Sequence, residues 1–201
     1  MQLNREMIFS RALLYGYRIF KGSDKSPNYD INAIGVRRNP HAYPDIKFGD
    51  LMTFSFLVDG QWQFHAWPIT TTSQRRSLLN LVSAKGATNL VAPQQARQVW
   101  EIGTFGKDKA WEHEALVQRG NFLTTHDNNK DLKVDFDGPV SVSPPTSGLC
   151  MHGPCGDSFG CQEFESMRDH KEAMSFVHKQ INAGHGKRVT YTLIDFGAEV
   201  F

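Results

Sequence analysis

The sequence predicts a mainly β fold of the α+β class, with a helix near each terminus. Three observations carry this prediction: two alternating apolar runs joined by Asp59-Gly60, several short apolar runs between turn residues, and helical spacing near the two ends of the chain. The chain has 201 residues, of which 40% are hydrophobic. A chain of this length can bury a core without disulfide support.

The N-terminal part begins with a predicted helix. Residues 3–20 place apolar side chains near helical spacing, which predicts one helix over this range. Residues 22–28 have the composition of a loop. A short apolar run at residues 31–37 then predicts the first strand.

Residues 51–69 carry the strongest local signal. Phe54 and Phe56 alternate with polar residues before Asp59-Gly60, and a second alternating run follows. Two such runs joined by Asp-Gly are typical of a β-hairpin with a type I′ turn, because both central residues need a positive φ.

The rest of the chain is read as short strands followed by one long helix. The predicted strands are residues 88–92, 97–103, 113–119, 121–125 and 189–196. Residues 72–87 fit a short helix or a loop, and residues 138–148 form a Pro/Ser-rich connection. Residues 166–183 have helical spacing and end at Gly184, a typical helix stop.

Charge and hydropathy exclude two classes of partner. The chain carries 22 Lys and Arg against 21 Asp and Glu, whereas domains that bind nucleic acid usually have a clear basic excess. We therefore expect no nucleic-acid partner. No apolar run reaches the ~20 residues of a membrane span, so we expect no membrane insertion. Charged residues interrupt residues 1–20, which predicts cytoplasmic synthesis without a signal peptide.

Three cysteines lie close together near the C-terminal helix. Cys150, Cys155 and Cys161 fall within twelve residues, and an odd number makes a poor disulfide framework. Three interpretations follow from the residues alone. One is a nucleophilic thiol on a glycine-rich turn, with His152 as its base. The second is a zinc site of Cys150, His152, Cys155 and Cys161. The third is a small-residue loop with buried thiols.

The segment around the third cysteine resembles the signature of the L,D-transpeptidase catalytic domain, in a branch found in phages and bacteria. The residues that carry the resemblance are His152-Gly153 and Ser158-Phe159-Gly160-Cys161-Gln162. The resemblance implies a β-sandwich of mixed sheets. It also implies a catalytic domain over residues 30–201, preceded by an N-terminal helix and linker at residues 1–29.

The resemblance assigns a role to each matching residue. Cys161 corresponds to the nucleophile and His152 to the general base. The remaining assignments are Ser158 and Gly160 for shaping the turn, and Gly153 and Gln162 for binding the substrate.

The chemistry implied by the resemblance is acyl transfer on peptidoglycan stem peptides. The thiolate attacks the carbonyl of the third stem residue, the terminal D-amino acid leaves, and water or an amine resolves the thioester. No metal or cofactor is required. Gln162 and Glu163 stand where many cell-wall transferases of the family carry Arg or Asn, and this difference favours hydrolysis.

The site of action and the competing class follow from the same residues. The resemblance and the absence of a signal peptide favour a phage cell-wall hydrolase, an endolysin, or a virion component that has phage structural proteins as further partners. Such a protein acts on the cell wall. The alternative is a non-enzymatic structural or virion module held by the zinc site of the second interpretation.

A second candidate metal site lies before the Pro/Ser-rich connection. Asp127, Asn129, Asp131 and Asp135 occupy positions 1, 3, 5 and 9 of a calcium-type loop. The loop has neither the glycine at position 6 nor the glutamate at position 12. Calcium binding and a polar strand connection are both open interpretations of this segment.

Overall fold

A computed structural model describes residues 3–38, 47–80, 84–156 and 158–196. Within these residues the chain forms eleven strands and three α-helices. The strands are β1 (Asn32–Arg37), β2 (Asp50–Val58), β3 (Gln61–Thr70), β4 (Ala87–Leu90), β5 (Gln94–Phe105), β6 (His113–Gln118), β7 (Phe122–Asp127), β8 (Ser141–Ser143), β9 (Met151–His152), β10 (Gln162–Phe164) and β11 (Arg188–Asp195). The helices are α1 (Arg5–Leu14), α2 (Arg75–Leu79) and α3 (Met167–Asn182).

Eight of the strands close into a barrel, in the order β1-β11-β5-β6-β9-β10-β3-β2. The pairs β1–β11 and β9–β10 are parallel, and the other neighbours are antiparallel. A separate three-stranded sheet has the order β4-β7-β8. The prediction of a mainly β fold with a helix near each terminus is confirmed. The sandwich of mixed sheets is not confirmed, because the pairing closes the larger sheet on itself.

One apolar core joins the barrel strands to α3. Phe54, Trp100 and Tyr191 are fully buried in it. Helix α3 adds Ala173 and Val177 to the same cluster, since its apolar positions recur on one face. This packing fixes α3 against β9 and β10, the strands that directly follow Cys150 and Cys161.

The hairpin prediction is confirmed in detail. Strands β2 and β3 pair antiparallel up to Val58 opposite Gln61. Asp59 has φ 50° and Gly60 has φ 76°, as a type I′ turn requires. The other predicted strands also form, as β1, β4, β5, β6, β7 and β11.

The N-terminal helix is shorter than predicted. The prediction of one helix over residues 3–20 is wrong beyond Leu14, where α1 ends. Gly16 adopts φ 73°, and the N–H of Tyr17 donates to the carbonyl of Ala12 at 3.0 Å. This is the Schellman arrangement, in which a left-handed glycine satisfies the last helical carbonyls and turns the chain away.

Residues 72–87 contain the short helix that was one of their two predicted forms, and residues 138–148 contain more regular structure than the predicted connection. Residues 72–87 include helix α2 and the first residue of β4, and residues 138–148 include β8 and a 3₁₀ turn at Pro145–Ser147. The predicted helix at residues 166–183 is confirmed as α3. In the described part of the chain, none of the helices has the length and apolar character that crossing a membrane demands.

Candidate functional site

Two very short parallel strands place the predicted nucleophile and base at the wall of one cavity. Strand β9 lies between β6 and β10 in the barrel, and Glu163 of β10 is opposite His152 of β9. Cys161 immediately precedes β10. His152, Ser158 and Cys161 line one cavity of about 400 Å³, together with Arg76, Phe105, Trp111, Gly148, Cys155, Gly156 and Phe159.

The turn before Cys161 is shaped by Ser158. The hydroxyl of Ser158 donates to the carbonyl of Cys161 at 2.8 Å and accepts from the N–H of Gly160 at 3.1 Å. The backbone of Ser158 is bound on both sides by Gln74, whose side chain accepts its N–H at 3.2 Å and whose own N–H donates to its carbonyl at 3.0 Å. Ser158 is buried, so its contacts hold the turn in place.

Gly160 occupies a position in this turn that other residues cannot occupy without strain. Its φ is +104°, and a Cβ placed there would lie 2.2 Å from the carbonyl oxygen of Thr88 in β4. The turn is therefore pressed against the small sheet at a distance that only glycine allows.

We expect Gly160→Ala to destabilise the protein by roughly 3 kcal/mol, because it adds a backbone clash to the strain of a positive φ. Gly156→Ala is the matched control: Gly156 has φ +122°, but among the described residues a Cβ there would have no neighbour within 4 Å. Urea unfolding of both variants measures the difference. Equal losses of unfolding free energy would show that the contact with Thr88 contributes nothing.

The thiol of Cys161 is half-buried and hydrogen-bonded. The N–H of Cys150 donates to its sulfur at 3.3 Å, and the sulfur lies 3.7 Å from the carbonyl oxygen of Gly148. Hydrogen bonding with the Cys150 side chain, followed by burial, raises the pKa of Cys161 well above its usual value. The thiol therefore keeps its proton at neutral pH, and its reaction as a nucleophile requires a base.

His152 is buried, and its imidazole ring is neutral with the proton on Nδ1. Its ring stacks on Phe105, with centroids 3.8 Å apart and planes at 8°. Its Nδ1 lies 2.6 Å from the carbonyl oxygen of Gly153, which can only accept, so Nδ1 carries the proton of the neutral ring. Burial lowers the pKa of His152 to about 4. At neutral pH the Nε2 atom is therefore available to accept a proton.

Cys155 lies on the protonated side of the same imidazole. Its sulfur is 3.8 Å from Nδ1 of His152, and its N–H donates to a carboxylate oxygen of Glu163 at 2.9 Å. Because Nδ1 already holds a proton, it cannot take one from Cys155. This geometry argues against Cys155 as a thiol that His152 deprotonates, although both sulfurs line the cavity.

The two residues predicted to bind substrate make internal contacts. Gln162 is buried, and its side-chain oxygen accepts from the hydroxyl of Tyr191 at 2.6 Å. The N–H of Gly153 donates to Nε2 of His113 at 3.0 Å. Neither Gly153 nor Gln162 is among the described residues that line the cavity. Their part in substrate binding stays a prediction.

Several residues of the site lie far from the motif in sequence. Phe105 comes from β5, and Arg76 comes from α2. Trp111 is 51% exposed in the loop between β5 and β6. A large exposed aromatic between charged residues is a signal that sequence reasoning could have used. Nothing local to Phe105 indicated that the fold would bring it to the cysteines.

The predicted metal sites make other interactions. Asp127 accepts from the N–H groups of Asn129 at 3.4 Å and Asp135 at 3.1 Å, and Asn129 accepts from Asp131 at 3.0 Å. In the described parts of the chain, no three His, Cys, Asp or Glu side chains are grouped to hold a metal ion. Calcium at the loop and zinc at the cysteines both stay predictions.

Comparisons with family models, with curated proteins and with solved structures find no match. The residues of the cavity are therefore the basis for assigning a function. They combine a thiol, a neutral imidazole and the positive charge of Arg76 beside exposed aromatic rings. Such a set suits attack on a carbonyl in a peptide that carries a carboxylate.

Proposed function

We propose that the protein is a cysteine-dependent enzyme of L,D-transpeptidase type that cleaves stem peptides of peptidoglycan. The observation that carries the proposal is that Cys161 and His152 line one cavity, although nine positions separate them in the chain. The residues of the resemblance, from His152 to Gln162, supply both groups. A sandwich-like arrangement of mixed sheets, with the catalytic domain beginning at residue 30, is part of the same proposal.

The first step is attack of the Cys161 sulfur on the carbonyl carbon of the third stem residue. The thiol proton passes to Nε2 of His152, directly or through one water molecule. The N–H of Cys150, at 3.3 Å, stabilises negative charge on the sulfur. Because the pKa of the thiol is high and that of the imidazole is low, proton transfer accompanies the attack and does not precede it.

The second step releases the terminal D-amino acid and leaves a thioester on Cys161. The imidazolium of His152 gives its proton to the departing amine, which restores the neutral ring. Water, deprotonated by the same Nε2, then hydrolyses the thioester. We assign Arg76 to the carboxylate of the substrate and Trp111 to an apolar wall of the cleft, since both line the cavity.

The proposed substrate sets where the protein acts. Stem peptides occur in the cell wall, so we infer wall degradation by a phage hydrolase or by a component of the phage particle. In the second case phage structural proteins are its partners. Neither inference requires a metal or cofactor.

The proposal is tested by incubating the protein with purified peptidoglycan fragments and measuring the products by mass spectrometry. We expect wild type to remove a terminal D-amino acid and Cys161→Ala to remove none, because the variant has no nucleophile. Cys155→Ala is the matched control and should retain activity. Equal product from wild type and Cys161→Ala, or none from wild type, would contradict the proposal.

A further inference from the structure

We propose that Cys150 is a resolving cysteine for Cys161: a small hydroperoxide oxidises Cys161, and Cys150 then forms a reversible disulfide with it that blocks the nucleophile. The consequence for activity rests on the proposed function. The disulfide chemistry itself depends only on the positions of the two sulfurs.

The register of the two short strands places these cysteines opposite each other. Gln162 is opposite Met151 in the parallel pair of β9 and β10, and the N–H of Gln162 donates to the carbonyl of Cys150 at 2.8 Å. Continuing this register by one residue beyond the strands sets Cys161 opposite Cys150. Adjacent strands lie ~4.8 Å apart, within the ~4.4–6.8 Å between Cα atoms that a disulfide spans.

The two sulfurs also lie close to the same backbone carbonyl oxygen. The Cys150 sulfur is 3.2 Å and the Cys161 sulfur 3.7 Å from the carbonyl oxygen of Gly148. The Cys150 N–H is 3.3 Å from the Cys161 sulfur. Both cysteines are free thiols. Cys155 is directed to another group, with its sulfur 3.8 Å from Nδ1 of His152.

Accessibility gives the two thiols different roles. Cys161 lines the cavity, whereas the Cys150 side chain is buried, with 7% of its surface exposed. A small peroxide therefore reaches Cys161 first. His152 takes the thiol proton as the sulfur takes one oxygen atom from the peroxide, and that proton completes the water that leaves, so the products are a sulfenic acid and water. The Cys150 sulfur then displaces that oxygen as a second water, and the two electrons lost by the sulfur pair reduce the peroxide.

Electrostatics favours the second step. In the reduced protein, hydrogen bonding with Cys161 lowers the pKa of Cys150 against the opposing effect of burial, and the positive charge of Arg119 also lowers it. A thiol with a lowered pKa is more often a thiolate, which is the form that attacks a sulfenic acid.

The test oxidises reduced protein with one equivalent of hydrogen peroxide and maps its disulfides by mass spectrometry. No Lys or Arg lies between residues 134 and 167, so trypsin leaves all three cysteines on one peptide. A protease that cuts before Asp157 separates Cys161 from the other two. We expect wild type to lose two hydrogen atoms, with Cys161 linked to the Cys150 peptide, and dithiothreitol to reverse the change.

Variants that each lack one cysteine identify which thiol pairs with Cys161. We expect Cys155→Ala to form the disulfide as wild type does. Cys150→Ser should form none and should accumulate a sulfenic acid on Cys161 that dimedone traps. A disulfide of unchanged yield in Cys150→Ser, or its loss in Cys155→Ala, would overturn the proposal.

The experiments distinguish failure of the disulfide proposal from failure of the proposed function. If the disulfide forms while wild type cleaves no stem peptide, the proposed function fails and the pairing of the sulfurs stands. If wild type cleaves stem peptides, oxidation should lower its rate at least about tenfold, with recovery in dithiothreitol. Unchanged activity of the oxidised protein would overturn the blocking role of the disulfide.

Discussion

We expect His152→Gln to lower the rate of stem-peptide cleavage by roughly 10²–10⁴-fold, the usual contribution of a general base. Glutamine keeps a polar group beside the Gly153 carbonyl but cannot accept the thiol proton. The loss should be large because the raised pKa of Cys161 leaves little thiolate at neutral pH. Cleavage assays on purified stem peptides, with Cys155→Ala as control, measure the effect.

Alkylation of Cys161 distinguishes this role of His152 from a structural one. In our proposal the thiol and imidazole do not form an ion pair at rest, since burial lowers the pKa of His152 to about 4. Iodoacetamide should therefore modify Cys161 at nearly the same rate in His152→Gln as in wild type, while cleavage falls. A variant that cleaves within about twofold of wild type would exclude His152 as the base.

Local chemistry made part of this fold predictable. The hairpin of β2 and β3 follows from Asp59-Gly60, because its type I′ turn depends on two neighbouring residues with positive φ. The extent of α3 follows from one apolar face, an N-cap at Ser166 and a glycine after its last turn. These features need no knowledge of the rest of the chain.

Closure of the barrel depends on contacts that sequence patterns do not contain. Strand β1 pairs with β11 across more than 150 residues. Strands β9 and β10 have two and three residues, too few for any periodic signal. The motif therefore indicated Cys161 and His152 as chemical partners, whereas the positions of Cys150 and Arg76 emerged only from the fold.

We expect the protein to lose about 4 kcal/mol of stability between pH 7 and pH 5 through two buried histidines. Burial lowers the pKa of His152 to about 4 and that of His170 to about 3, against a reference of 6.5. Below pH 6.5 the unfolded chain binds protons that the folded protein does not bind. Stability therefore falls by ~1.4 kcal/mol per pH unit for each histidine, until the pH reaches the folded pKa.

His170→Phe should remove about half of this loss. His170 is buried between Phe164 and His113, and among the described residues neither of its ring nitrogens has a hydrogen-bond partner. A phenyl ring fills the same space without those polar atoms, so we expect the variant to gain about 2 kcal/mol more over wild type at pH 5 than at pH 7. Urea unfolding at the two pH values measures the difference.

His178→Gln is the control for loss of a histidine from the same helix. His178 is exposed, and its ring contacts the carboxylate of Glu114 at 2.9 Å. An exposed pair of this kind contributes less than about 1 kcal/mol, so this variant should follow wild type at both pH values. If His170→Phe also followed wild type, the buried imidazole of His170 would not be a source of the acid sensitivity. The stability lost between pH 7 and pH 5 would then come from His152 and the carboxylates.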